Sequence, residues 1–340
     1  MGTAKFLILK GCAGLGNRLF TTCAAIAYAE RNQRKLYVDW SDGQFGYKGE
    51  NVFYKYFDLA GVDYVRSMPD NNNLHALSIY PKPWESNLGQ GIYASFEFCD
   101  NDTFPALLKK IFHKANVHGA LSKSYGYWKP KHLYLNSKNF FRSLLPVLNS
   151  DCFPVGSYYK DGLTEDIVVY ADFAPATSAE QFKKHIKLKP QLRADVETFA
   201  EKNKLKKNTI GIHIRATDKK PTTGLETIFN KIKGLGLLNP TIFLATDNAD
   251  VIKLIADRFP NIITFASELP EVPEGMGIHQ LGFRSGNGDV ATKVFKQSIM
   301  DMWLLSECEY LFFQGNSTFS IISSFLHSDQ TKVLDWQLNE

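Results

Sequence analysis

The spacing of apolar positions separates strands from helices along this chain. Lys5–Lys10 is a short apolar run ending at glycines, which predicts a buried strand. The glycine loop Gly11–Gly16 follows, then an Ala-rich helical stretch, Asn17–Asn32, and a second strand, Lys35–Val38. These segments form one βαβ unit. From Gly49 to about Ser178 the pattern breaks into short aromatic runs with Asn and Pro interruptions, with a strand expected at Gly91–Phe98. A lysine-rich stretch with a proline, Lys183–Gln191, marks the expected boundary between units spanning residues 1–185 and 186–340. Beyond it, helices are predicted at Pro190–Lys204, Leu225–Leu235, Ala249–Arg258, Asp289–Ser306 and Thr318–His327. They alternate with strands at Thr209–Ile214, Thr241–Ala245, Ile262–Phe265, Tyr310–Phe313 and near Val333, with a long loop at Ala266–Gly288. Such alternation implies a parallel sheet covered on both faces. The expected fold class is α/β, with two Rossmann-like domains facing each other across a cleft.

Composition narrows the function classes. A chain of 340 residues is long enough for two α/β cores. The formal net charge of +4 suits a small phosphorylated ligand and does not mark a nucleic-acid surface. Cys12, Cys23, Cys99, Cys152 and Cys308 show neither a C-x-x-C pair nor metal-ligand spacing. Their scatter predicts reduced thiols and a cytoplasmic protein. The apolar run at the N-terminus reads as a first strand and not as a signal peptide, and no run reaches transmembrane length. Phe6 stands where a myristoylation signal needs Ser or Thr. The sequons at Asn101 and Asn316 have no consequence in a cytoplasmic chain.

The candidate chemistry lies at strand ends, where open α/β sheets bind ligands. Gly211-Ile-His-Ile-Arg-Ala-Thr-Asp218 delivers His213, Arg215 and Asp218 to such an edge. The planar guanidinium of Arg215 matches phosphate oxygens. Phe243-Leu-Ala-Thr-Asp247 ends a second strand, and Asp247 is either a helix cap or an acceptor for a base or ribose. Gly315-Asn-Ser-Thr-Phe-Ser320 opens a helix whose N–H and hydroxyl groups can receive a phosphate. Gly11-Cys-Ala-Gly-Leu-Gly-Asn-Arg18 approaches two phosphate-loop motifs without completing either. Asn17-Arg18 replace the Lys-[Ser/Thr] of a P-loop, and Leu19 replaces the last dinucleotide glycine. Asp100-Asn-Asp102 is a short metal-type motif of a kind common in loops, and no zinc spacing is present.

Taken together, Gly14-Leu-Gly-Asn-Arg18, His213-Ile-Arg-Ala-Thr-Asp218, Phe243–Asp247 and Asn316-Ser-Thr-Phe-Ser320 resemble motifs of the GDP-fucose-dependent fucosyltransferases. That group includes bacterial α1,2- and α1,6-fucosyltransferases and protein O-fucosyltransferases. The resemblance covers the first forty or so residues and the C-terminal half. It implies a GT-B fold and inverting transfer of fucose from GDP-fucose to a glycan hydroxyl, with no cofactor and no metal. It would place Arg215 on the diphosphate, Asp247 on the guanosine, and Ser317, Thr318 and Phe319 around the β-phosphate. Gly14, Gly16, Asn17, His213, Asp218 and Asn316 would complete the substrate site. Ala216 stands where some relatives carry a second arginine, and the glycine loop lacks the glutamate some use as base. The nearest acids on the N-terminal side, Asp39 and Asp42, are therefore the expected proton acceptors. The alternatives are a same-fold enzyme using another nucleotide sugar, a non-catalytic sugar-binding protein, and a dinucleotide oxidoreductase built on Gly11–Gly16 and Asp39.

Overall fold

The computed structural model describes residues 4–68, 77–92, 159–172, 175–217, 221–266, 269–271, 277–281 and 286–338. The strand expected at Gly91–Phe98 falls outside the described residues from position 93 onward, as do Asp100, Asp102 and Asp218.

Strand β1 (Phe6–Lys10), helix α1 (Leu15–Arg31) and strand β2 (Lys35–Asp39) form the expected βαβ unit. A one-turn helix α2 (Phe53–Tyr56) runs into β3 (Phe57–Leu59). Strands β4 (Ile79–Tyr80) and β5 (Ile167–Tyr170) complete a parallel sheet of order β2-β1-β5-β4. Next come helix α3 (Ala179–His185) and strand β6 (Ile186–Leu188), which pairs antiparallel with β3. Strand pairing thus holds the chain to the N-terminal half as far as Leu188, within the lysine-rich stretch. The alternation Ile186-Lys187-Leu188 turns two apolar side chains to one face and the lysine to the other.

Helix α4 (Pro190–Lys202) leads into a second parallel sheet. Its strands are β7 (Thr209–Ile214), β8 (Thr241–Thr246), β9 (Ile262–Ile263), β10 (Tyr310–Phe313) and β11 (Val333–Asp335), in the order β11-β10-β7-β8-β9. Helices α5 (Glu226–Gly234), α6 (Ala249–Ala256), α7 (Gly288–Glu307) and α8 (Thr318–Leu326) connect them. Both faces are covered, which explains the nearly continuous apolar strands. Ile210, Ile212, Ile214, Ile242 and Leu244 pack on one face with Ile228 and Ile232 of α5. Phe243, Ala245 and Leu311 face the other way, into a core shared with the first sheet.

That shared core joins the two sheets. Phe295 of α7 stacks on Phe45 with ring centroids 4.3 Å apart and meets Tyr56 edge-on at 5.0 Å. Phe20 of α1 packs on Phe325 of α8 at 5.8 Å. A Cβ on Gly211 would stand 3.0 Å from both Cys308 Sγ and Leu305 O, so glycine lets α7 lie close against β7.

The strand order also positions the site. From β7 the chain moves to β8 and β9 on one side, then returns to β10 and β11 on the other. Helix α5 leaves β7 toward one face, with Ile228 in that face's core. Helix α8 leaves β10 toward the opposite face, with Ile322 in the shared core. The loops after β7 and β10 therefore part and open a crevice at the C-terminal edge, the topological switch point of the sheet.

Candidate functional site

Arg215 follows the last residue of β7, at the C-terminal edge of the sheet, and its side chain is 18% exposed. The turn that carries it is held from β8. One carboxylate oxygen of Asp247 accepts the Ala216 N–H at 2.7 Å and the Thr217 N–H at 3.3 Å. The other accepts the Thr217 hydroxyl at 2.5 Å and lies 4.0 Å from Arg215 Nε. Asp247, expected on a guanosine, thus faces the Arg215 turn with both oxygens. It does not cap the following helix. Asn248 does so, accepting the Asp250 N–H at 2.8 Å.

Across the crevice, residues 314–317 lead into α8. Gly315 is required there, because a Cβ would fall 1.8 Å from Asp335 Oδ2. Ser317 is the N-cap residue, but its hydroxyl caps nothing and is buried without a partner. The first turn of α8 carries no acidic residue. Its N–H groups and the helix dipole therefore present uncompensated positive potential, the arrangement that binds anions.

His213 lies beneath this turn and is 7% exposed. Its ring stacks on Phe319 with centroids 4.7 Å apart, and Nδ1 lies 2.9 Å from Ser320 Oγ. Ser320 Oγ also accepts the Gln314 N–H, which ties the imidazole to the loop before α8. Burial, and secondarily the charge of Arg215, push the His213 pKa down to about 3. The histidine therefore supports the cradle as a ring that stays uncharged in the neutral pH range.

Helix α1 reaches the same place from the other half. Gly14 is its N-cap residue, and Gly16 packs directly on α8. A Cβ on Gly16 would lie 2.5 Å from Phe319 N and from the Thr318 carbonyl carbon. Asn17 Oδ1 accepts the Thr318 hydroxyl at 2.6 Å. The glycine loop thus serves the close approach of two helix N-termini.

Asp39 and Asp42, the expected proton acceptors, each neutralise a buried cation. Asp39 pairs with Lys10 at 2.5 Å, their side chains being 8% and 1% exposed. It also accepts the Ser41 hydroxyl at 2.5 Å. Asp42 receives Arg18 through two nitrogens at 2.6 and 3.2 Å, with side chains 5% and 0% exposed. Arg18 is further held by Gln44 and by the Ala13 carbonyl, and lies over the rings of Trp40 and Phe45. This gives both carboxylates a structural role in fixing the loop after β2.

Sequence reasoning missed Asp301. It sits on α7 and lines a pocket with Thr246, Thr264, Ala266 and Gln297 at the ends of β8 and β9. The residue keeps some exposure toward the pocket. Protein atoms nevertheless surround it closely enough that burial pushes its pKa up to about 8, with no hydrogen bond or charge among the described residues to offset the shift. The available signal was a lone acid inside the apolar run Ile299-Met-Asp-Met-Trp303. Among the described residues, no group of His, Cys, Asp and Glu could hold a metal ion.

No protein-family model and no curated protein sequence matches the chain. Solved structures do. The NodZ α-1,6-fucosyltransferase soaked with GDP-fucose superposes with a TM-score of 0.55 at 19% identity, over 95% of this chain and 93% of its own. The fucosyltransferase NodZ from Bradyrhizobium gives 0.56 at 19% identity, over 96% and 94%. These likenesses extend over nearly the whole length of both chains, and they establish that this protein has the GT-B fold of two Rossmann-like domains.

Proposed function

We propose that the protein is an inverting glycosyltransferase that moves fucose from GDP-fucose to a glycan hydroxyl. The observation that carries this reading is the convergence of Arg215 and the uncapped N-terminus of α8 on the switch-point crevice. NodZ, determined with GDP-fucose and with GDP, supports the choice of donor through the shared fold. Residues 1–185 form the acceptor side of the proposed enzyme, and residues 186–340 the nucleotide-sugar side.

As the donor bond loosens, positive charge builds on the sugar and negative charge on the departing diphosphate. Arg215 and the N–H groups of Thr318 and Phe319 are fixed donors for that negative charge, and fixed donors cost no reorganisation during the reaction. The acceptor hydroxyl attacks the opposite face of the sugar as the bond to the diphosphate breaks, its proton passes to water and GDP departs, which gives inversion. Asp247 holds the Arg215 turn in place. We assign base recognition to the carboxyl of Asp301, which lines the pocket at the ends of β8 and β9. Guanine offers N1–H and N2–H₂ side by side, and a carboxylate accepts such a pair, whereas the adenine edge offers one donor beside an acceptor.

Thermal shift against a panel of nucleoside diphosphates tests the donor, because only the nucleotide that binds raises Tm. Selective stabilisation by GDP, together with GDP release from GDP-fucose, supports the reading. Stabilisation by another nucleotide points to a different donor, and binding without turnover to a sugar-binding protein.

Asp301→Asn is expected to abolish the preference for GDP over ADP in that panel. Ionised Asp301 accepts from guanine, so GDP affinity rises with pH from about 6 toward 8 in the wild type, and this dependence disappears in the variant. The sign for stability is opposite. A folded-state pKa raised to about 8, from a model value of 3.8, makes the unliganded protein lose stability as pH rises between those values. Asp301→Asn should therefore raise the Tm of the free protein at pH 8 while weakening GDP binding. A lowered Tm with intact GDP selectivity would contradict the assignment.

Turnover should persist with excess chelator, because Arg215 and backbone N–H groups can meet the diphosphate charge. Loss with chelator, reversed by manganese or magnesium, would overturn that expectation. Among the described residues, no helix is long and apolar enough to cross a membrane. Cys23 and Cys308 are buried thiols outside any disulfide, which fits the cytoplasmic location we propose.

A further inference from the structure

The two halves of the proposed anion site sit on strands that have already stopped pairing. The β7–β10 ladder runs from Ile210–Tyr310 to Ile212–Phe312, and both chains then diverge at the switch point. Arg215 lies beyond the ladder on one side, and residues 315–319 lie beyond it on the other. Backbone pairing therefore does not set the distance between the guanidinium and the N-terminus of α8.

Gln314 bridges the two sides directly at Arg215. Gln314 is fully buried. Its Oε1 accepts the Arg215 N–H at 2.8 Å, as a strand carbonyl would, and its Nε2 donates to Asn316 Oδ1 at 2.8 Å. Its own N–H donates to Ser320 Oγ at 2.7 Å, and the Ser320 hydroxyl bonds His213 at 2.9 Å. Gln314 thus connects the Arg215 turn, the loop before α8 and the first turn of α8 through one amide and one N–H. A buried polar side chain with every bond directed at one site is costly to keep unless each bond is made.

We propose that Gln314 is a positioning residue that holds Arg215 at the distance from the α8 N-terminus at which both reach the same diphosphate. This rests on the GDP-sugar reading above. Donors to a transition state must sit close to their productive positions, and a displacement of about 1 Å costs on the order of a hundredfold in rate.

The test is a double-mutant cycle. Gln314→Met keeps side-chain volume and removes both amide bonds. Turnover of GDP-fucose and GDP affinity are measured for the wild type, Gln314→Met, Arg215→Lys and the double variant. We expect Gln314→Met to lower kcat by roughly thirty- to a hundredfold while the GDP dissociation constant changes by about threefold or less. The double variant should be no more than about threefold slower than Arg215→Lys, because a contribution already lost cannot be lost again. A purely structural role predicts multiplied losses and a parallel fall in Tm. If Gln314→Met does not fold, Ser320→Ala removes the acceptor of the Gln314 N–H and takes its place in the cycle.

Multiplied losses, or normal kcat in Gln314→Met or in its stand-in, would overturn the assignment while leaving GDP as the donor nucleotide. A wild-type protein that binds no GDP would overturn the donor reading itself and this inference with it.

Discussion

Arg215→Lys is expected to lower kcat with GDP-fucose about a hundredfold, or about 2.7 kcal/mol of transition-state stabilisation. Lysine keeps the charge but loses the planar fork, and its shorter array of donors cannot meet two diphosphate oxygens at once. The surroundings amplify the difference. The Arg215 main chain is fixed by Gln314, its turn by Asp247, and its side chain is mostly enclosed. A lysine there cannot shift to recover the geometry. GDP affinity should fall much less, since the charge remains and the base and helix contacts are untouched. Rates of GDP release compared with calorimetric GDP binding separate the two effects. Near-normal kcat in this variant would remove Arg215 from the centre of the mechanism.

Asp42→Asn is expected to cost about 3–5 kcal/mol of folding stability, the usual consequence of leaving one member of a buried ion pair without its counter-charge. The guanidinium of Arg18 is wholly enclosed and receives two oxygens from Asp42. It lies 5.5 Å from the Trp40 ring centroid and 4.7 Å from that of Phe45, and Phe45 in turn stacks on Phe295 of the other half. Loosening Arg18 should therefore loosen the loop after β2 and the seam between the sheets together. Denaturant unfolding reads the loss directly. Replacing both partners, as Arg18→Met with Asp42→Leu, should recover much of it, because no buried charge is left unpaired. The contrary outcome is equally clear. Unchanged stability with kcat reduced by a hundredfold or more would make Asp42 the proton acceptor originally expected from its position.

The periodic segments of the C-terminal half are legible because their strands are buried on both faces and two of their helices, α6 and α7, carry side-chain caps. Asn248 and Asn287, for example, each accept N–H bonds at a helix start. Strands β3, β4, β5 and β6 were not singled out. The first, second and last are two or three residues long, so no period can be established within them. Ile167–Tyr170 is a clear apolar run, but it lies at the end of a long irregular segment and gains meaning only by pairing with β1.

Sequence by itself determined the α/β class, the βαβ entry, the second parallel sheet and the strand-end motifs containing Arg215 and Ser317–Phe319. All of these follow from local spacing, because side-chain period and turn chemistry act over a few residues. What each polar residue does was decided by tertiary structure. Asp247 faces the Arg215 turn because β8 lies beside β7. Asp39 and Asp42 meet Lys10 and Arg18 because the loop after β2 folds back over β1 and α1. Gly16 touches Thr318 and Phe319 across 302 positions of sequence. Asp301 stands out only through the burial that α7 and the ends of β8 and β9 impose on it. A carboxylate's role depends on which cation, N–H or empty pocket it faces, and that is a property of three-dimensional neighbours that local spacing does not encode.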